Sequence, residues 1–257
     1  EIKHTVSKSI ESFVLNKKVT VSHPLDLIFP KERRIRSLIG GLETSLGTKV
    51  WEPLAKMFAQ NNGFEVLDEK ELNASVLRIP EDVMHKLSDF ENKKLNNPAL
   101  PHSLYKKEIA DFISMKNIKP NERRKMPKGE GVDVWLKKDG QELLIDIKTV
   151  QLNAGGGPKF NKNLLKWYTF RALELSEHAN TRCMLAFPFN PHKKDYWKKE
   201  GGKILPLIFS EEALVGNEFW DLLSGETNTL ELILDAFREM GEENFGNQFD
   251  YIFRIDD

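Results

Sequence analysis

Residues 131–151, with the sequence GVDVWLKKDGQELLIDIKTVQ, decide the fold that we predict for this chain. Apolar residues alternate with other types along both halves of the stretch, and the turn residues 138–140, KDG, lie between the halves. Alternation of this kind is typical of β-strands, and a short connection that contains Gly predicts a β-hairpin. Asp133 lies on the first strand, whereas Asp146 and Lys148 lie on the second. Because successive side chains of a strand point to opposite faces, Asp146 and Lys148 share one face.

Two carboxylates and one lysine on such a hairpin are suited to metal-dependent hydrolysis of phosphodiesters. The carboxylate of Asp133, across the turn, can meet that of Asp146 at one metal ion, and hard oxygen ligands favour Mg²⁺. The metal would orient the phosphate and lower the pKa of a bound water. Lys148 would position or help deprotonate that water, or neutralise the charge of the transition state. An Asp-x-Lys triplet alone is most often an ordinary solvated face, so the surrounding sequence has to support this interpretation.

The elements predicted around the hairpin are a mixture of helices and strands. Helical spacing of apolar residues predicts helices over 32–46, 50–60, 105–115, 164–177 and 229–240, and apolar runs predict strands over 184–189, 204–209 and 251–255. Gly47 is expected to interrupt the first two helices, and residues 64–104 are expected to wander over the surface. The fold class that follows is α/β, with a mixed central β-sheet flanked by α-helices and additional helices in the N- and C-terminal parts.

Composition and charge narrow the class of protein. The 257 residues, 40% of them apolar, suit a single domain over 1–257, in which 64–128 is a candidate for a partly separate subdomain. A formal charge of -1 means that any nucleic-acid surface must be local. Cys183 is the only cysteine, which excludes an intramolecular disulfide and favours a reducing cytoplasm. No apolar run approaches the roughly 20 residues that cross a bilayer, so no membrane partner is expected.

The triplet Asp146-Ile147-Lys148, with Asp133 on the strand before it, resembles the PD-(D/E)xK nuclease superfamily. The chain departs from the superfamily pattern at Val132, where Pro would precede the first Asp. The resemblance implies a restriction-endonuclease-like core. It also implies that Asp133, Asp146 and Ile147 surround the metal and that Lys148 serves the attacking water.

A glutamate from a helix ahead of the sheet often completes the site in that superfamily. The segment 47–58, GTKVWEPLAKMF, offers Glu52 for this role by resemblance, as a further catalytic residue and metal ligand. Pro53 follows it directly and leaves the local helix geometry open. Glu108 is the reserve candidate.

The resemblance extends to type II restriction endonucleases, and within them to enzymes that cut GGNCC-type sites. It rests on RSLIGGLETSLGTKVWEPLA at 36–55, on IDIKTVQLN at 145–153 followed by a helix with KWYTFRA, and on VGNEFWDLLSGETNT at 215–229. It implies Mg²⁺-dependent cleavage of double-stranded DNA that leaves 5′-phosphates, by a homodimer whose two-fold symmetry matches a palindromic site. A repair or recombination nuclease of the same superfamily and a non-catalytic DNA-binding module are the alternatives.

A basic connector at 116–128 is the first candidate for DNA contact. It has six basic residues and one acid, Glu122, and therefore a local charge of +5. Phosphate contact is the functional interpretation, and a solvated loop is the plain alternative. Arg123 or Arg124 could read guanine, and Lys125 and Lys128 complete the set. Two further basic clusters carry the same ambiguity: Arg33, Arg34 and Arg36, and Lys193, Lys194, Lys198 and Lys199.

The glycine run at 155–157 is the second candidate for DNA contact. No Gly-Lys-Ser/Thr follows it, so it is not a phosphate-binding P-loop. It is either a flexible linker or a loop that lets the backbone approach DNA, with Asn153, Gly156, Lys159 and Asn161 as candidate contacts. Asn161 and Asn163 are equally candidates for helix caps, and capping is favoured for at least one of them. Asp139 and Glu142 are interpreted as solvated turn residues outside the site.

Overall fold

The predicted hairpin forms the middle of the sheet in the computed structural model, which describes residues 1–16, 24–149, 152–176 and 179–249. The strands are β1 (Glu65–Leu67), β2 (Val76–Leu77), β3 (Arg123–Arg124), β4 (Val134–Lys138), β5 (Gln141–Ile147), β6 (Thr181–Phe187) and β7 (Ala213–Val215). Strands β4 and β5 pair antiparallel around a two-residue turn, Asp139 and Gly140. Both turn residues have positive φ, 49° and 76°, as a type I′ turn requires.

The central sheet is mixed, as the sequence predicts. Its strand order is β1-β4-β5-β6-β7, and β2 and β3 form a separate small sheet. The β1–β4 and β4–β5 pairs are antiparallel, whereas β5–β6 and β6–β7 are parallel. Strands β5, β6 and β7 therefore have their carboxyl ends at one common edge of the sheet, and the amino end of β4 lies at that edge too.

Helices cover both faces of this sheet. Within the described residues, the α-helices are α1 (Ile2–Asn16), α2 (Pro30–Leu46), α3 (Glu52–Asn61), α4 (Glu69–Ala74), α5 (Glu81–Asn96), α6 (His102–Met115), α7 (Gly156–Leu175), α8 (Tyr196–Ile204), α9 (Asn217–Ser224) and α10 (Thr229–Glu242). None of the described helices is long and apolar enough to cross a membrane.

The alternation of β5 separates two apolar layers. Leu144 packs with residues of α4 to α8 on one face. Leu143, Ile145 and Ile147 pack with residues of α1, α3, α9 and α10 on the other face. The prediction of an α/β fold with a helix-flanked mixed sheet is confirmed, and the buried strand β6 is apolar on both faces because both layers cover it.

The prediction that residues 64–104 wander over the surface is wrong. This segment forms β1, α4, β2 and α5 and begins α6. Val83, Leu87 and Phe90 are buried in α5 with the spacing of one helical face, although Asn, Pro and charged residues hide that spacing in the sequence. The division of 64–128 into a partly separate subdomain stays a prediction.

The junction between the first two predicted helices is continuous. Helix α2 passes through a π-helical turn, Gly47–Trp51, directly into α3. Gly47 thus widens the helix where an interruption was predicted, and a β-carbon at this glycine would lie 3.3 Å from Thr149 Cγ2. Single π turns of this kind are frequent at functional sites.

Two further predictions about the second half of the chain are wrong. The apolar run 204–209 is not a strand, because Ile204 ends α8 and the edge strand β7 begins at Ala213. Helix α7 begins at Gly156, eight residues before the predicted start, so the glycine run forms its first turn. A β-carbon at Gly157 would lie 2.1 Å from the carbonyl oxygen of Leu205, which explains a glycine in this turn. The predicted strand at 251–255 falls outside the described residues.

Candidate active site

The hairpin brings the two predicted metal ligands together at the carboxyl end of β5. Val134 pairs with Ile145, and the Asp133 N–H donates to the Ile145 carbonyl at 3.0 Å. Asp133 directly precedes β4, and its carboxyl lies within hydrogen-bond reach of the Asp146 carboxyl. The Ile147 N–H donates to Asp133 Oδ2 at 2.8 Å and thereby fixes the carboxylate over the end of β5.

Asp146 is the most buried acid of the site, with 3% of its surface exposed. Burial raises the pKa of Asp146 to about 7, while the Lys148 ammonium opposes the shift. The negative charge of Asp133 and a hydrogen bond between the two carboxyls raise this pKa further. The two carboxyls are therefore close enough to share a proton, which is the behaviour of like charges held together.

Both the backbone and the side chain of Lys148 have fixed partners. Its backbone N–H donates to the Ala186 carbonyl at 2.9 Å, which ties the end of β5 to β6. Its ammonium donates to Asp146 Oδ1 and lies 5.1 Å from the centre of the Phe160 ring. A cation over a ring face is attracted by the ring quadrupole, so Phe160 of α7 helps to orient this ammonium.

Glu52 is the first residue of α3 and approaches Asp133 from the other side of the sheet edge. Burial raises the pKa of Glu52 to about 7, and the charge of Asp133 contributes to the shift. Lys56 and a hydrogen bond from the Thr48 side chain act in the opposite direction. Helix α3 therefore brings Glu52 into the electrostatic field of Asp133.

The reserve candidate Glu108 lies elsewhere in the fold. It belongs to α6 and forms a 3.0 Å ion pair with Lys86 of α5. The structure thus brings together Glu52, Asp133, Asp146 and Lys148, and it gives Glu108 a partner of its own. Thr48 and Phe160 were not identified from the sequence. The four-residue spacing of Thr48 and Glu52, which puts them on one helix face, is the signal that could have found the first.

The chemistry of these donors fits a hard divalent cation. Among the described residues, no three His, Cys, Asp or Glu side chains are already arranged as a metal site. Burial raises the pKa values of Asp146 and Glu52, and the charge of Asp133 adds to both shifts, so their ionised forms are disfavoured without a cation. The carboxylates of Glu52, Asp133 and Asp146 and the backbone carbonyl of Ile147 are oxygen donors of the kind that Mg²⁺ binds. A cation bound here would compensate the charge of these carboxylates.

The basic connector is less free than its sequence suggests. Arg123 donates from Nε to Ser75 Oγ at 2.8 Å and forms a 3.1 Å ion pair with Glu174 of α7. Glu122 pairs with Arg78 at 2.9 Å. Arg123 is thus bound to its own chain, while three basic residues that were also predicted to contact DNA are exposed: Arg124, Lys125 and Lys128.

The prediction that Asn161 contacts DNA needs correction. Asn161 is fully buried inside α7, and its Oδ1 accepts a hydrogen bond from His102 Nε2 at 2.8 Å. Asn163 is buried as well and donates to the Gly129 carbonyl at 3.3 Å. Neither asparagine caps the helix, because α7 begins at Gly156 and Gly155 takes the cap position with φ of 81°.

The other residues predicted around the glycine run lie near the start of α7. Asn153 and Lys159 are exposed, and Gly156 is half-buried. The Asn153 carbonyl accepts the Gly156 N–H at 3.0 Å, which closes the turn before the helix. The run is thus an ordered helix start and not a flexible linker, and DNA contact by these three residues stays a prediction.

The interpretation of Glu142 as a solvated turn residue is wrong. Its side chain is 7% exposed and accepts two hydrogen bonds from Arg171 of α7, at 2.7 and 2.8 Å. The Arg171 guanidinium also lies 5.2 Å from the centre of the Trp135 ring. Glu142 shares the face of β5 that carries Asp146, so the strand alternation itself was the signal for its burial.

Comparisons with known proteins gave matches to type II restriction endonucleases. The family described as HinfI, a type II restriction endonuclease, matches residues 1–241. The type II restriction enzyme MjaII of Methanocaldococcus jannaschii is 25% identical over 222 residues, which cover 82% of this chain and 56% of the relative. The type II restriction enzyme HgiEI of Herpetosiphon aurantiacus is 27% identical over 113 residues, which cover 42% of this chain and 39% of the relative.

These matches are partial in length. The chain spans 56% and 39% of the two curated relatives. No solved structure matches the chain.

Proposed function

This chain belongs to the HinfI family of type II restriction endonucleases, and from that premise we propose that it hydrolyses phosphodiester bonds of double-stranded DNA at a specific short site. The observation that carries the proposal is the convergence of Asp133, Asp146 and Lys148 at the end of β5, with a hydrogen bond between the two carboxyls. Glu52 adds a third acid from α3. The single cysteine and the DNA substrate favour the cytoplasm as the compartment.

We propose Mg²⁺ as the cofactor, held by Asp133, Asp146, Glu52 and the backbone carbonyl of Ile147. When bound, Mg²⁺ supplies charge neutralisation at the scissile phosphate and lowers the pKa of a bound water. Asp146 and Glu52 would hold the cation as carboxylates, since only the carboxylate forms are good ligands. Asp133 is oriented for this role by the Ile147 N–H.

Lys148 acts on the water and on the phosphate. Its ammonium, held by Asp146 and the Phe160 ring, has further N–H donors available for a phosphate oxygen and for the attacking water. In-line attack of this water then leaves a 5′-phosphate and a 3′-hydroxyl. The stabilisation comes from fixed donors in a largely buried site, where electrostatic interactions are stronger than in water.

We further propose a homodimer that cuts GGNCC-type sites. The support for the target is the sequence similarity at 36–55, 145–153 and 215–229. The support for the dimer is that a palindromic target presents two equivalent half-sites, which a two-fold symmetric protein matches.

Plasmid cleavage tests the activity. The protein is incubated with a sequenced plasmid and Mg²⁺ beside the variants Asp133→Asn and Asp146→Asn. The matched control is Asp139→Asn, an exposed acid in the turn of the same hairpin. We expect discrete fragments from the wild type and the control, and a rate at least about 1000-fold lower from the two site variants, because a metal ligand contributes several kcal/mol.

The same digest separates the alternatives. Sequencing the fragment ends gives the target and the cut position, and direct ligation of the ends shows the 5′-phosphate. A repair nuclease would cut branched or damaged DNA in preference to a defined sequence. A non-catalytic module would bind the plasmid and leave it intact. Undiminished cleavage by Asp133→Asn would overturn the assignment of the site.

A further inference from the structure

A second basic surface follows β6, and it carries four exposed lysines. Residues 190–199, NPHKKDYWKK, contain four lysines and one aspartate, a local charge of +3. We call this segment the lysine knuckle. Its four lysines, Lys193, Lys194, Lys198 and Lys199, are exposed, and within the described part of the chain their ammonium groups have no carboxylate partner. This contrasts with Arg123 of the connector, which is paired with Glu174.

Strand pairing places the lysine knuckle beside the candidate active site. Strands β5 and β6 are parallel and pair Ile147 with Ala186, and the Lys148 N–H donates to the Ala186 carbonyl. Strand β6 ends at Phe187, one residue beyond that contact. Because neighbouring strands are about 4.8 Å apart, the chain that leaves β6 starts next to Lys148. The lysine knuckle therefore belongs to the same edge of the sheet as the two aspartates.

The backbone of the lysine knuckle is held by its own side chains. Asn190 Oδ1 accepts the His192 N–H at 2.9 Å, and Asn190 Nδ2 donates to the Lys194 carbonyl at 2.9 Å. Asp195 Oδ1 caps α8 by accepting the Lys198 N–H at 2.8 Å. A fixed backbone loses little conformational entropy when it binds a ligand, so the lysines are presented in advance.

The nearby acid in α8 does not neutralise these lysines. Glu200 is 2% exposed, and its two oxygens are taken by His192 at 2.9 Å and Lys203 at 2.6 Å. Hydrogen bonds from these two residues, that from Lys203 first, lower the pKa of Glu200. The lysine knuckle therefore keeps its positive charge beside the candidate active site, and such a surface is suited to binding a polyanion next to the metal ligands.

We propose that the lysine knuckle binds the phosphates of double-stranded DNA beside the scissile bond. The inference rests on the proposed function, which makes DNA the substrate. Each lysine that contacts a phosphate releases condensed counterions, so binding weakens with salt in proportion to the number of contacts. The contact positions the duplex and carries no base preference, because phosphates are the same at every step.

The test compares two pairs of lysines. The members of each pair are consecutive in sequence, and the two pairs lie at opposite edges of the sheet. The double variant Lys193→Gln with Lys194→Gln removes charge from the lysine knuckle. The matched control is Lys106→Gln with Lys107→Gln on α6, since Lys106 lines a cavity with Gln141 and Thr181, the first residues of β5 and β6. Binding to a labelled duplex of mixed sequence is measured by fluorescence anisotropy without metal, at several salt concentrations.

We expect the knuckle variant to lose about 1.8 in the slope of log affinity against log salt, and at least about tenfold in affinity at about 0.1 M salt. The control pair should keep the wild-type slope. An unchanged slope for the knuckle variant overturns the inference, as does an equal loss for both pairs. If the first variant does not fold, Lys198→Gln with Lys199→Gln tests the same charge from α8.

Plasmid cleavage by the same preparations separates this inference from the proposed function. Wild-type protein that neither binds nor cuts DNA removes the proposed function, and the inference falls with it. Wild-type protein that cuts DNA, together with a knuckle variant of unchanged affinity and slope, removes the inference alone. A slower but still discrete digest by the knuckle variant, restored at low salt, supports both.

Discussion

Both ends of β5 carry a buried acid on the same face of the strand, but the two acids have different surroundings. At the amino end, Glu142 is buried and bidentate with Arg171, so its charge is matched by one guanidinium. At the carboxyl end, Asp146 is equally buried and pairs with Lys148. Asp133 lies beside Asp146, and Glu52 lies near Asp133. One end is neutral as a group, and the other has excess acid.

This difference separates a group that supports the fold from a group that is available for chemistry. A buried pair with both partners satisfied holds α7 against the sheet and gains nothing from a ligand. A buried cluster of like charges destabilises the free protein and is relieved by a cation. Glu142 and Asp146 lie four positions apart on one strand and represent these two situations. Four experiments test whether the distinction is real.

The largest effect is expected for Glu142→Gln. This substitution leaves the Arg171 guanidinium buried without its counter-charge, which costs about 3 to 5 kcal/mol of the free energy of unfolding. Urea denaturation monitored by circular dichroism measures it. Asp139→Asn on the exposed turn is the control and should change stability by less than about 0.5 kcal/mol. A loss below about 1 kcal/mol at Glu142 would show that this end of β5 is not a structural ion pair.

Asp146→Asn is expected to raise the free energy of unfolding, whereas Glu142→Gln lowers it. At pH 8 the wild-type protein must ionise a carboxyl whose pKa burial has raised to about 7, and the amide removes that charge. We expect the metal-free variant to be more stable than the wild type by about 2 kcal/mol, within the limit that a shift of this size allows. The measurement is the same denaturation in EDTA. A destabilisation like that of Glu142→Gln would contradict the proposed difference between the two ends of β5.

The advantage of Asp146→Asn should depend on pH. The folded pKa of Asp146, about 7, lies above its ordinary value of 3.8, so the folded state holds the proton more tightly than the unfolded state. The destabilisation by ionised Asp146 is therefore absent below about pH 4, grows between about pH 4 and 7, and is complete above. Comparing the two proteins at each pH cancels the titrating groups that do not interact with Asp146, among them His102, whose pKa burial lowers to about 4. A difference that is constant from pH 4 to 8 would contradict the assignment.

Divalent cations should act at one end of β5 only. Mg²⁺ at about 100 times its dissociation constant is expected to stabilise the wild type by up to about 2.7 kcal/mol, since it binds only the folded state. Asp146→Asn should lose most of this stabilisation by Mg²⁺. Glu142→Gln should keep it, although its stability without metal is lower than that of the wild type. Thermal unfolding with and without Mg²⁺ gives both values. Equal stabilisation of all three proteins would place the cation away from the cluster.

The sequence predicted those features that depend on neighbours along the chain. The hairpin, its turn and the shared face of Asp146 and Lys148 follow from alternation and from two turn residues, and they are present as predicted. Glu52 came from resemblance, because a side chain on α3 meets β4 only through the tertiary fold. The Glu142–Arg171 pair joins residues 29 apart, and the His102–Asn161 pair joins residues 59 apart. No local pattern reports either contact.

The start of α7 shows tertiary contacts overriding local preference. Gly155, Gly156, Gly157 and Pro158 are poor helix formers, so the sequence favoured a loop. In the first turn of the helix, a β-carbon at Gly157 would lie 2.1 Å from the carbonyl oxygen of Leu205, so the packing against the end of α8 requires glycine there. The same early start places Asn161 in the interior, where it meets His102 and cannot meet DNA.

The tight turn at Asp139 and Gly140 restricts how this chain can diverge from its relatives. An inserted residue that shifts β4 by one position against β5 would turn Asp133 to the opposite face, away from Asp146. Substitutions along the hairpin can accumulate one at a time, whereas a length change between the two aspartates has to be compensated in the same event. We therefore expect the spacing from Asp133 to Asp146 to be more constant among functional homologues than the identity of most residues inside it.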